Sequence, residues 1–424
     1  MTEKENRKNR IWVALVIASC FMMIFVCLGF CSSNKSLYLG AITEALGIQR
    51  SLFSINDSFR YVTTAVVNLF FGALIGKFGA KKLVGAGFLC LIISTLIYAT
   101  ASHVAVFYVG GMFLGMGLSF TTTTMVSYLI GLWCPQNRGT VTGLALCGNG
   151  LGGALAAQII TPMIYQQGNP FGYRNAYIMV ASLLAVAGIV VTTIIREPDG
   201  HATSVSAKKK PRGGAWAGIT FREALHKPYF YAAAVCVFIT GMSLQGINGI
   251  AGTHLTDVGM DKGMVAAVMS AHSVVLCFSK FLAGVGYDKL GLRKILAICE
   301  FFGVLSFIAL AMAGNGAGYG FAWGVLSALA LPLETVLVPL IAADLFGEKE
   351  YPRIMGIFVS INTAGFALGT PMVNLFFDAF GTYTPVLYAI AGAMLCMIVG
   401  FGFIINASNR DKQRLMQLPA ESDA

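Results

Sequence analysis

IWVALVIASCFMMIFVCLGFCSS, residues 11–33, is a run of 23 residues without a charge. As a helix it rises roughly 35 Å at 1.5 Å per residue, enough to cross a hydrocarbon core of about 30 Å. A barrel strand would alternate apolar and polar positions over about ten residues, and this run does not alternate. The basic stretch MTEKENRKNR precedes it and no AxA-type cleavage site follows, so it reads as a retained first span rather than a removable signal.

Comparable runs recur along the chain. Spans are expected near residues 11–33, 52–76, 83–101, 105–130, 141–165, 174–195, 229–252, 264–287, 295–314, 317–345, 354–377 and 384–405. The one long polar stretch, residues 196–228, carries Lys208, Lys209, Lys210, Pro211 and Arg212. It divides the chain into an expected six-helix bundle at 1–195, a basic linker at 196–228 and a second six-helix bundle at 229–424. The 424 residues are 56% hydrophobic and 11% charged, against roughly 25% charged in a soluble domain. So few charges cannot cover a soluble surface, and the expected fold is an all-α membrane protein of twelve transmembrane helices.

The net charge of +10 does not point to nucleic acid, because the basic residues fall in short clusters between apolar runs. One alternate set of loops and tails carries 23 lysines and arginines, and the opposite set carries four: Lys35, Arg50, Arg174 and Lys262. The positive-inside rule then makes both termini cytoplasmic, in a multi-pass cell-membrane protein. The ten cysteines lie in or beside apolar segments without metal-ligand spacing and read as packing residues; no metal or cofactor is expected. No GxSxG, HExxH, P-loop or dinucleotide fingerprint is present, and the segments between spans are too short for a catalytic domain, so an enzyme is not expected.

The chain repeats itself. An offset of 212 superposes Gly29 on Gly241, Gly47 on Gly259, Ser58 on Ser270, Gly72 on Gly284, Lys77 on Lys289, Gly79 on Gly291 and Lys82 on Lys294. In the fifth and eleventh spans the offset is 213, pairing Gly143, Asn149 and Gly152 with Gly356, Asn362 and Gly365. Two similar bundles suit a carrier that rocks about a midplane site.

The two motif copies GALIGKFGAKK, residues 72–82, and GVGYDKLGLRK, residues 284–294, resemble the GxLxDRxGRK loop motif of the major facilitator superfamily. The resemblance implies a secondary transporter with a gating motif built from Gly72, Gly79 and Lys81 in one half and Gly284, Asp288, Lys289, Gly291 and Arg293 in the other. The first copy has Gly76 where the second has Asp288. WCPQNRGTVTGLALCGNGLGGAL, residues 133–155, is similar to the entry into the fifth span of the monocarboxylate and oxalate/formate branch. In that branch an arginine four residues before the motif glycine of the eighth span binds substrate carboxylate; that position here is Lys280, which keeps the charge without the planar fork of arginine. The branch's acid-Gly-x-Trp motif is absent from the first span, and the eleventh lacks the lysine of oxalate exchangers.

An ionisable residue at mid-bilayer costs about 2.5 to 3.5 kcal/mol on insertion scales and by default faces a cavity. Lys280 is the leading substrate-binding candidate, with a structural ion pair as its alternative. Asp57 and Arg60, three apart on one helix face, form either a static pair or an anion path in which Asp57 titrates. Arg60 aligns with His272, a second potential cation or a packed ring. Glu334, between Pro332 and Pro339, is a proton site, a partner of Lys280 or a packed residue in a broken helix. Thr123, within a run of four threonines at 121–124, and Tyr128 offer hydroxyls; Asn149 in GNGLGG offers an amide or close packing. Lys35 reads as a mouth lysine or an anchor, His254 as a loop residue, and Glu300 as an acid meeting loop bases.

The expected function is transport of a small organic anion, a mono- or dicarboxylate, by proton symport or exchange for a counter-anion. The expected partners are that anion, protons or the counter-anion, and the lipid bilayer, with the protein a monomer. Efflux of amphipathic compounds and a non-transporting membrane sensor are the alternatives.

Overall fold

A computed structural model describes residues 3–33, 35–48, 50–164, 169, 171–197 and 218–417. The lysine and arginine cluster at 208–212 lies outside them, as does the side chain of Lys35. Among the described residues every regular element is helical. Eleven helices among the described residues are long and apolar enough to cross a membrane, or twelve when one bent pair is counted as a single span.

In chain order the spans are span 1 (Ile11–Phe30), span 2 (Ile55–Leu69, bent by 61° into Phe71–Phe78), span 3 (Ala80–Thr100), span 4 (Val104–Trp133), span 5 (Arg138–Ile164) and span 6 (Gly172–Ile194). They continue as span 7 (Pro228–Asp257), span 8 (Ala267–Leu290), span 9 (Leu292–Ala311), span 10 (Ala317–Phe346), span 11 (Tyr351–Phe377) and span 12 (Thr384–Arg414). The bend in span 2 and the additional helix Lys35–Leu46 depart from the expected pattern of straight spans. Apolar side chains such as Val186, Ile189 and Phe403 are exposed on the spans, as a surface solvated by hydrocarbon requires.

The chain forms two compact units, residues 1–203 with 273–288 and residues 204–272 with 289–424. Most of span 8 therefore groups with the first unit rather than with the residues of 229–424 around it. Glycine explains how these helices approach. In the first unit, a Cβ added to Gly29 of span 1 would lie 2.6 Å from the Cα of Gly152 of span 5. In the second, a Cβ on Gly365 of span 11 would lie 2.6 Å from the carbonyl oxygen of Phe238 of span 7, and one on Gly246 would lie 2.8 Å from the carbonyl carbon of Gly369. Small residues permit such backbone approach where no water drives helices together. Span 1 against span 5 and span 7 against span 11 are the pairs that the sequence repeat superposes, so the repeat is one of packing as well as letters.

The turns repeat too. Gly79, between spans 2 and 3, has φ +76°, and Gly291, between spans 8 and 9, has φ +79°. A side chain is strained in that region, which explains the glycine in each motif copy.

Candidate functional site

Span 5 begins at Arg138 and supplies a glycine face to span 8 within the first unit. A Cβ on Gly143 would meet the backbone oxygen of Lys280 at 2.5 Å, and one on Gly139 would meet the backbone oxygen of Gly284 at 2.6 Å. The thiol of Cys147 donates to the Cys277 carbonyl at 3.0 Å on the same face. The motif over residues 133–155 is thus the surface on which span 8 lies, and it holds Lys280 with only 6% exposure.

Asp288, the acid of the second motif copy, caps that helix. Its Oδ1 accepts the Gly139 N–H at 3.1 Å and its Oδ2 the Thr140 N–H at 2.6 Å. These amides belong to the first turn of span 5, where donors have no partner within the helix and the helix dipole favours an anion. Gly76 in the first copy has no carboxylate to offer. A different helix end, the N-terminus of span 3, is capped by Glu197, beyond span 6, whose Oε1 accepts the Ala80 N–H at 2.8 Å. Among the remaining motif residues, Gly72 lies in the second limb of span 2, Lys81 and Lys289 are exposed, and the Arg293 guanidinium donates to Asn406 Oδ1 at 3.2 Å.

A second polar group of the first unit links spans 1, 2 and 5. Arg60 Nε lies 3.1 Å from Asp57 Oδ1, an ion contact without hydrogen-bond alignment. Its Nη1 donates to Ser32 Oγ at 2.9 Å, and its guanidinium covers the Tyr61 ring at 4.1 Å. The neighbouring Ser33 hydroxyl donates to Asn149 Oδ1 at 2.6 Å. Arg60, Asp57 and Asn149 are therefore tied together through two serines at the end of span 1. Those serines carried no signal in the sequence, where they read only as the last residues of the first apolar run.

Span 4 breaks at Thr122, with φ −124° and ψ −142°. The hydroxyls of Thr121 and Thr122 return to Gly117 and Leu118 carbonyls at 2.9 and 2.6 Å, so they are engaged within their own helix. Thr123 starts the following segment half-buried, and Tyr128 stands edge-on to Phe71 at 6.2 Å.

His272 and Glu334 belong to the second unit. The His272 ring stacks on Trp323 at 5.5 Å, and its Nδ1 donates to the Gly324 carbonyl at 3.0 Å. The same nitrogen lies 2.9 Å from Ser327 Oγ. Glu334 lies in the π-helical segment Leu333–Leu337 of span 10. Pro339 cannot donate an N–H, and in π-helical register the carbonyl it leaves open is that of Glu334. Asn362 Nδ2 of span 11 donates to that carbonyl at 2.8 Å. The prolines thus produce a widened turn closed by a side chain, not a gap in the helix.

Two readings of isolated residues change. His254 is not in a loop: it is buried inside span 7, with Nε2 3.1 Å from the Leu310 carbonyl. Glu300 does not meet loop bases: it is 0% exposed, and Oε1 accepts the Thr240 hydroxyl of span 7 at 3.1 Å.

Residues 20–333 and 233–420 match the family described as Major Facilitator Superfamily. The chain is similar to the uncharacterized MFS-type transporter YcxA of Bacillus subtilis (strain 168), with 25% identity over 384 residues, 88% of this chain and 89% of that one. It is also similar to the sialic acid transporter NanX of Escherichia coli (strain K12), with 22% identity over 390 residues, 90% of this chain and 89% of that one. Among solved structures, the transporter FucP in an outward conformation superposes with a TM-score of 0.71 at 15% identity, covering 92% of this chain and 98% of FucP.

Proposed function

The chain belongs to the Major Facilitator Superfamily and is a multi-pass membrane transporter rather than an enzyme; from that premise we propose that its cargo is a small organic anion. We assign it a mono- or dicarboxylate, carried by proton symport or anion exchange, as in the monocarboxylate and oxalate/formate branch. The observation that carries this reading is Lys280, a cation buried at 6% exposure in the middle of a membrane span. A charge there is costly and is kept for what it binds. Arg60 offers a second cation on span 2, with Asp57 in contact to exchange partners when an anion arrives. Likeness to a sialic acid transporter agrees with an acidic cargo. Anion binding neutralises the buried charge of Lys280 and so favours the loaded state; the six-helix bundles are assigned to 1–195 and 229–424, joined by the linker 196–228. Both termini face the cytoplasm of a cell-membrane monomer in this reading. His272 and Glu334 are assigned to proton coupling or charge tuning within the second bundle.

A panel of small carboxylates, neutral metabolites and lipophilic cations tests the cargo class by thermal unfolding. A ligand at 100 times its dissociation constant stabilises a reversible unfolding transition by about 2.7 kcal/mol. Stabilisation by one class of carboxylates is the expected result. Stabilisation that follows hydrophobicity regardless of charge would replace this reading with amphipath efflux.

Asp288 would act as a latch on the cytoplasmic end of span 5. Asp288→Ala removes two charge-assisted hydrogen bonds from a helix N-terminus, a loss of about 1 to 2 kcal/mol. Amide exchange at Gly139 and Thr140 should accelerate by roughly 5- to 30-fold. Unchanged exchange there would mean that the cap does not hold the helix end.

A further inference from the structure

Glu300 is used by none of the roles above, yet its surroundings are unusual for an acid. It is the ninth residue of span 9, Leu292–Ala311, and is 0% exposed. Oε1 accepts the Thr240 hydroxyl at 3.1 Å, while Oε2 is buried with no hydrogen-bond partner. No lysine, arginine or histidine pairs with it among the described residues. An ionised carboxylate in that position would be uncompensated in a medium of low dielectric, which strongly favours the neutral acid. A neutral acid needs a route by which its proton can come and go, and Glu300, itself closed to solvent in this conformation, borders the space for one. It lines a crevice of about 380 Å³ between spans 9 and 12, whose polar members are Arg293 and Asn406. Water takes about 30 Å³ per molecule, so the crevice has room for a chain of them. On its other side Glu300 lines a narrow slot with Thr240, Asn362 and Val338, reaching spans 7, 11 and 10.

We propose that Glu300 is a proton-binding site of this transporter, neutral at rest, which exchanges its proton with water through the crevice between spans 9 and 12. The titratable or charged groups facing it are Cys236 from span 7 and Cys299 and Arg293 from span 9. Spans 10, 11 and 12 present Leu333, Asn362 and Asn406, which do not titrate. Arg293 is seven residues earlier on the same helix, roughly 10.5 Å of rise away, at the crevice end that the motif loop occupies. When the acid ionises, its proton passes to crevice water and the carboxylate keeps the Thr240 hydroxyl as donor. Asn362 joins this slot to span 10 by its bond to the Glu334 carbonyl, so a change of charge at Glu300 is felt at the π-helical turn.

The test is infrared difference spectroscopy on purified full-length protein in lipid nanodiscs, comparing wild type, Glu300→Gln and Thr240→Val across a pH series. The wild type should show the C=O stretch of a protonated carboxyl at neutral pH, lost reversibly as pH rises. Glu300→Gln should lack that band, and Thr240→Val should keep it at a shifted frequency, because one hydrogen bond to it is gone. A wild-type spectrum identical to that of Glu300→Gln, or a band that persists at every pH where the protein is folded, overturns the proposal. No substrate is needed for this arm, so it stands apart from the carboxylate reading on which the transport consequence rests. In proteoliposomes loaded with a carboxylate that stabilises the protein, Glu300→Gln should retain exchange and lose accumulation driven by a pH gradient. Accumulation equal to wild type would remove Glu300 from coupling; failure of both proteins to move any carboxylate would overturn the cargo and leave the spectroscopic assignment intact.

Discussion

Lys280→Gln should weaken binding of a stabilising carboxylate by roughly 30-fold or more while leaving the protein folded. Truncating one partner of a buried, hydrogen-bonded charge pair costs about 2 to 5 kcal/mol, and every 1.4 kcal/mol is about tenfold in affinity. Glutamine keeps most of the length of lysine and a donor, so the loss reports the charge rather than the volume. The packing of spans 5 and 8 rests on Gly143 against the Lys280 backbone, which the substitution does not touch. Lys280→Arg should retain binding with altered selectivity between mono- and dicarboxylates, because a planar fork meets a carboxylate differently from a point charge. Thermal shift titrations on the three proteins decide it: affinity within threefold of wild type for Lys280→Gln would remove Lys280 from the binding site.

The largest effect on the fold itself is expected at the crossing of spans 1 and 5. In Gly152→Val, the new Cβ would run into the backbone carbonyl of Phe25 and approach the Gly29 Cα at 3.1 Å. Backbone atoms cannot rotate out of the way as a side chain does, so the two helices must separate. Overpacking of this kind costs about 1 to 3 kcal/mol and occasionally more. Gly365→Val should reproduce the loss in the second unit, where Phe238 O plays the same part. Gly392→Val is the control: nothing lies within 4 Å of its Cβ position, and a surface change of that kind stays within about 0.5 kcal/mol. Apparent melting temperatures of the three variants in detergent provide the comparison. Equal melting of Gly152→Val and Gly392→Val would show that the helices part at this crossing without cost.

The glycine letters that predict close crossings also show why the site was less legible than the fold. Gly29 and Gly152 stand out in the sequence because the repeat returns them as Gly241 and Gly365, and helix packing in lipid depends on small residues whatever the rest of the face contains. Arg60 and Asp57 were legible as a pair because three residues along one helix fix their distance. Ser32 and Ser33 were not, since their meaning depends on span 2 and span 5 arriving beside the end of span 1. Glu300 illustrates the same limit from the other side. Its position along span 9 suggested bases from a loop, but helix rotation turns it inward to Thr240, and rotation is set by neighbours that a linear pattern does not name. Pro332 and Pro339 announced an irregular helix; that the freed carbonyl would find Asn362 required span 11 to be in place.

By itself, the sequence determined the number and length of the membrane spans, the twofold repeat and the turn glycines, because these follow from local rules: hydrocarbon thickness, backbone hydrogen bonding and the positive φ of Gly79 and Gly291. Only the tertiary structure decided that Asp288 caps span 5, that Arg60 reaches Ser32 and that Glu300 lies buried beside a crevice. Those contacts join residues 28 to 149 positions apart, and the depth and rotation at which packed helices meet are properties of the assembled spans.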